Sequence, residues 1–190
     1  HATTSLRATE KALGVVPSEQ TVLLRKLNFH GEMLDSHILH SYMLVAPDAL
    51  GVGSVVPLAK THPEVVLRAL RMKKLAGDLC AAICGRHTHP IAMTVGGFTH
   101  FPSTADLEQL RDRLEAARAD VDATVELFQK LHLPAFERET EFVSLKGEDE
   151  YPFIGGQLVS SDGVVRPEHE YLEMSNEYVD PEDQPPSTIP

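Results

Sequence analysis

Ten histidines are spread unevenly along this chain of 190 residues. His30, His37 and His40 ride on one proline-free stretch, residues 19–46, while His87, His89 and His100 stand in a stretch without helical pattern, residues 85–103. Clustered imidazoles suggest metal chemistry, which needs three or four ligands converging at about 2 Å, often with a carboxylate among them. Helical bundles that hold two metals supply Glu-x-x-His pairs from two helices. The nearest patterns here are Glu32-x-x-Asp35 and His37-x-x-His40, with no Glu-x-x-His on a helix, so the residues alone predict no autonomous metal site. Cys80 and Cys84, the two cysteines, lie one helical turn apart in DLCAAIC rather than in a C-x-x-C loop. At that spacing they cannot form an ordinary disulfide without breaking the helix, and they read as buried core thiols of a reducing compartment. No G-x-S-x-G supports a serine hydrolase. Gly96-Gly97 is too short to cradle a phosphate and reads as a turn.

The elements that must position these groups follow from periodicity and punctuation. In residues 19–46, Leu23, Leu27, Leu34, Ile38 and Val45 recur at the spacing of one helical face. One helix of that length is about 40 Å long and would organise the rest of the domain. On it His30 and His37 fall beside the Leu23/Leu34 stripe and His40 lies about 80° round, so the histidines flank the expected seam as core residues or parts of a site. A helix over 1–13 ends at Gly14, and Ser18 is the expected N-cap of the long helix, which Pro47 and Asp48 end. Residues 46–64 read as a connecting loop. Thr61 or His62 then precedes Pro63 at the first position of a second long helix, 63–84, with Val66, Leu70, Leu75, Leu79 and Ile83 as its stripe and Gly85 as its stop. Arg86 follows that C-terminus, where a cation is favoured, and His89-Pro90 implies extended backbone before the strand-like IAMTV. Ser103 or Thr104 caps a third, more exposed helix through residue 131.

After Pro134 the pattern changes. Residues 142–145 and 153–159 alternate like strands, Ser161-Asp162-Gly163 is a turn signal, Val164-Val165 returns as a strand, and PEHEYLEMSNEYV reads as a short acidic helix. The expected fold class is mainly α, a long-helix bundle with a small β-containing segment. Its expected parts are a helical core over 1–135 that includes the 86–103 loop, a β/α segment over 136–179 and an extended acidic, proline-rich tail over 180–190. The net charge of −11 is not shared evenly: residues 1–136 carry 14 acidic and 14 basic side chains, and the remainder 14 acidic and 3 basic. A basic face for a phosphate backbone is missing, which argues against nucleic-acid binding. No apolar run is long enough to span a bilayer. The first residues read as mid-helix with no cap before them, so the chain is expected to be a piece of something longer.

Two stretches together resemble the large subunit of nickel–iron hydrogenases. His1-Ala2 with its helix, the Ser36-His37-Ile38-Leu39-His40 step and Ala46-Pro47-Asp48 are similar to the segment that follows the family's N-terminal cysteine pair. Gly85, Arg86, His89, Pro90, Gly96 and Gly97 are similar to the family's later G-[RK]-x-x-H-P…GG stretch. The resemblance covers most of residues 1–101 and continues weakly to residue 179. It implies a parent protein that oxidises hydrogen or reduces protons at a nickel–iron centre held by four cysteine thiolates. The thiolate motifs are absent from this sequence, so the chain alone is expected to bind no cofactor and to be inactive. It would supply scaffold and groups around the centre, His1 foremost as a neighbour of the metal's ligands, with His37, His40, Arg86 and His89 as structural or subunit-contact residues. The implied partners are the rest of the large subunit and the small iron–sulfur subunit, in the cytoplasm. Alone, the chain is expected to self-associate through apolar surface. A quinone-site subunit of the respiratory complex I type, without metal, and a non-catalytic helical interaction module are the alternatives.

Overall fold

Helix α1, Ala2–Leu13, stops at Gly14 in the left-handed conformation, and a short turn leads to Ser18. The Ser18 hydroxyl accepts the Thr21 N–H at 3.2 Å and so satisfies one of the orphan amides that open helix α2, Glu19–Leu39. The computed structural model describes residues 1–178 and 187–189. Beyond Leu39 the rod widens into a π-helical turn, His40–Val45, and closes with one α-helical turn, α3, Ala46–Ala49. The predicted long helix is therefore continuous but not uniform, and it does not end at Pro47. That residue lies inside the continuous rod, at the start of its last α-helical turn. The expected loop beyond it contains helix α4, Val55–Thr61, capped by Ser54.

Helix α5, Pro63–Cys84, runs antiparallel along α2. Leu24 packs with Leu79, Ile83 and Cys84 in one cluster, and Ile38 and Tyr42 pack with Val65, Ala69 and Met72 in another. At Gly31 the two helices approach so tightly that a Cβ would stand 2.9 Å from the Cys80 sulfur and 3.3 Å from Leu79. The predicted stripes need correction. Leu23 is 57% exposed and Leu70 51% exposed, and the buried line on α2 is instead Thr21, Leu24, Asn28, Gly31 and Ile38. Polar and glycine positions occupy the seam because they hold partners or permit the close approach, which hydrophobicity alone does not register. The histidines do not flank a buried seam: His30, His37 and His40 are all exposed.

After α5, strands β1, Met93–Thr94, and β2, Gly97–Phe98, form a small antiparallel hairpin around Val95-Gly96, with Gly96 at φ 78°. The expected third helix is two, α6, Thr104–Ala116, and α7, Arg118–Lys130, joined at Ala117. Ser103 caps the first of them by accepting the Asp106 N–H at 3.1 Å. Helix α7 packs on the π-helical turn, where the Thr124 hydroxyl lies 2.6 Å from the Tyr42 hydroxyl and Phe128 meets the Tyr42 ring edge-on.

These elements make one compact unit, His1–Pro134, and Ala135–Pro190 make a second. The second holds a three-stranded antiparallel sheet of β3, Val143–Lys146, β4, Gln157–Ser160, and β5, Val165–Pro167. Val143 pairs with Ser160 and Val159 with Val165, so Ser161-Asp162-Gly163 is the turn its composition predicts. A short helical turn and α8, Tyr171–Met174, follow, and β6, Asn176–Tyr178, pairs with β7, Ser187–Ile189. Most of the expected tail, 180–186 and 190, lies outside the described residues.

Candidate functional site

Three segments distant in sequence meet at a cleft of about 470 Å³. It is lined by the start of α1 from His1 to Thr3, by Phe29, Glu32, Met33, Asp35 and Ser36 of α2, and by His87 to Pro90 of the loop after α5. Each wall has its own support. Helix α1 is clasped to α2 by a buried ion pair, Glu10 with Arg25, at 3.0 and 2.6 Å in a two-pronged arrangement. Glu10 is 4% exposed and Arg25 2% exposed. The same groups seize the β1–β2 hairpin, since Arg25 donates to the Thr94 carbonyl at 3.0 Å and the Gly96 N–H donates to Glu10 at 2.7 Å. The Arg25 guanidinium holds the Glu10 carboxyl below its usual range, outweighing the opposite effect of burial, and the Gly96 amide adds to it.

On the α2 wall, the Asn28 amide donates to Glu32 at 2.8 Å, and Lys73 of α5 pairs with Asp35 at 2.7 Å. Among the described residues, Asn28 Oδ1 and Arg25 Nε are buried without a hydrogen-bond partner. The loop wall begins where the Cys84 carbonyl ends α5 and accepts both the Ile91 and Ala92 amides, at 3.0 and 3.1 Å. His89 takes φ 59°, a left-handed backbone rare for a residue with a side chain, and such strain persists only where the surroundings impose it. The extended backbone expected before Pro90 is therefore not what the loop adopts. The His87 ring lies over Gly77, where a Cβ would stand 2.7 Å from its Nδ1, and its Nε2 lies 3.9 Å from Asp78.

The cleft thus brings together three of the histidines singled out from sequence, His1, His87 and His89, with the Glu32/Asp35 pair. His37 stands outside it, its Nδ1 2.7 Å from the Met33 carbonyl, and neither His40 nor Arg86 lines it. All three are exposed. Sequence reasoning missed Glu10 and Arg25: Arg25 follows the apolar run Val22-Leu23-Leu24, whereas Glu10, between Thr9 and Lys11, carries no local sign of burial. Among the described residues no three His, Cys, Asp or Glu side chains are placed to hold a metal ion. Cys80 and Cys84 are free and buried between α5 and α2. Burial pushes their thiols up to about 11 and about 12, the opposite of what thiolate ligation requires.

No family model matches the chain. The alpha chain of sulfhydrogenase 1 from Pyrococcus furiosus is 32% identical over 181 residues, which is 94% of this chain and 42% of that protein. The homologues are large subunits of hydrogenases. One component of the F420-non-reducing hydrogenase of Methanothermobacter marburgensis is 29% identical over 87% of this chain and 37% of its own length. Among solved hydrogenases, the crystal structure of an NAD+-reducing NiFe hydrogenase in the H2-reduced state shares the fold. Its TM-score is 0.74 at 22% identity, over 87% of this chain and 42% of that one. The chain spans less than half the length of these hydrogenase relatives. The mainly α architecture around a long helix, with small antiparallel sheets, is the one expected of a hydrogenase large-subunit core. Among the described residues no helix is long and apolar enough to cross a membrane.

Proposed function

We propose that this chain is the central part of a nickel–iron hydrogenase large subunit, in a whole protein that oxidises hydrogen or reduces protons. Its role is scaffold and surroundings of the metal centre, not ligation. The observation that supports the reading most is the 32% identity with the sulfhydrogenase alpha chain over 94% of the present sequence. The donor set of these residues does not fit the centre itself: a nickel–iron site wants thiolates, and the two thiols present are packed in the α2–α5 core with raised proton affinity. The ligands must come from other parts of the protein. What the chain contributes is the cleft wall, with His1 on a helix locked by the Glu10–Arg25 clasp and His89 on a strained loop opposite. Groups fixed in this way orient and tune ligands they touch. The remainder of the large subunit, together with the small iron–sulfur subunit, forms the set of partners on this reading. The cytoplasm, where free thiols persist, is the compartment.

Expression of the complete gene product with metal analysis tests it. Nickel in the purified protein, cysteine pairs before His1 and near the C-terminus, and hydrogen–deuterium exchange activity are expected. His1→Ala should lower the exchange rate while leaving the nickel content unchanged. A complete product with neither cysteine pairs nor nickel overturns the reading. The chain on its own carries a related expectation. Leu23, Leu67 and Leu70 are more than half exposed, as surface meant to be covered would be, so isolated residues 1–190 should self-associate. A single-chain mass by light scattering at tens of micromolar would count against that.

A further inference from the structure

The first unit carries another cleft, of about 410 Å³, between α5 and the α6–α7 pair, floored by Met72, Leu75 and Ala117. Cations ring it. Arg71 donates to Asp120 at 2.8 Å, with the Arg68 Nε 4.0 Å from the same carboxylate. Lys74 and Arg113 converge from α5 and α6 on one oxygen of Asp78, at 2.8 and 2.7 Å. Arg71, Lys74 and Arg113, the three cations that line the cleft, share two carboxylates, Asp120 in its lining and Asp78 outside it, which leaves one positive charge in surplus, on a chain whose net charge is −11. Asp120 and Asp78 are 25% and 22% exposed, and their ion pairs hold these cations beside the cleft. Among the described residues, the ion pairs engage one terminal nitrogen each of Arg71 and Arg113. A guanidinium has five N–H donors in a planar fork that matches a tetrahedral oxyanion.

We propose that this cleft binds a small phosphoryl compound carrying adjacent negative charges, of the di- or triphosphate type. The volume suits a compact anion, and the acidic residues that share the surface disfavour a long polyanion. Asp120 lies in the cleft and competes with the ligand for Arg71. This gives the proposal a signature that mere loss of structure cannot imitate.

Calorimetric titration of the chain with inorganic diphosphate, at fixed ionic strength, tests it. Saturable one-to-one binding is expected, weakened by about tenfold or more in the Arg71→Gln/Arg113→Gln double variant. It should be tightened in Asp120→Asn and unaltered in Arg118→Gln, whose guanidinium pairs with Glu115 outside the cleft. Should the double variant fail to fold by circular dichroism, Lys74→Gln, a change at a 71% exposed side chain, serves in its place with a smaller loss. A parallel titration with adenosine diphosphate separates the free anion from the phosphoryl end of a larger molecule, and saturable binding of either supports the site. Heats that sodium chloride reproduces, binding by the double variant equal to the parent's, or weaker binding in Asp120→Asn would each overturn it.

Discussion

Replacing Arg25 with methionine is expected to destabilise the first unit by about 3–5 kcal/mol, the cost typical of removing one partner of a buried ion pair. Methionine fills the space of the aliphatic stem but leaves the Glu10 carboxylate, 4% exposed, without its two-pronged partner, while the Gly96 amide still donates to it. The loss should fall unevenly. Arg25 joins α1, α2 and the β1–β2 hairpin, so the start of α1, and His1 with it, is freed before the α2–α5 core opens. Urea unfolding would read the stability, and hydrogen exchange of the α1 amides would read the local release. The Glu10→Gln/Arg25→Met double variant should recover much of the deficit, because it leaves no buried charge uncompensated. A single variant within 1 kcal/mol of the parent, with α1 still protected, would mean that the clasp does not hold the helix.

The same pair fixes the sign of a pH dependence. The folded-state pKa of Glu10 is depressed below its unfolded value of about 4.3. Its contribution is therefore fully present above that unfolded value and is lost as pH falls through the folded pKa. In Arg25→Met the depression is gone, so the stability gap between variant and parent should narrow on acidification below pH 4.

The second large effect concerns the thiols. In the native chain Cys80 and Cys84 should react with iodoacetamide at pH 8 at least about a hundredfold more slowly than in the urea-unfolded chain. A free thiol near 8.5 is about a quarter thiolate at that pH, whereas one near 11 is about one part in a thousand. Burial is the main cause, and for Cys80 the carboxylates of Glu32 and Asp35 add to it. For Cys84 the additional contributions come from Cys80 and Glu32. Time-resolved mass spectrometry with peptide mapping would follow both sites. Labelling as fast as in urea would show thiols available for chemistry, and with it a reason to reconsider them as ligands.

Much of the helical framework was legible without coordinates, and the reason is that its signals are local. Ser18 and Ser103 bond amides three residues away, Gly14 and Gly85 supply left-handed stops, and Pro63 opens α5, all within one turn of chain. The turn at Ser161-Asp162-Gly163 is equally local, and the mainly α class follows from such elements. Only the tertiary structure decided which faces are inside. Leu23 and Leu70 looked like core, yet the buried seam runs through Asn28 and Gly31, because α5 comes close enough there that a Cβ would strike Cys80. Pairing of Glu10 with Arg25 and the meeting of His1 with His89 across one cleft depend on helix packing over long sequence separations. Residue spacing along one element carries the positions of its caps and stops; it does not carry the partner that makes a buried charge tolerable or brings two distant histidines to the same space.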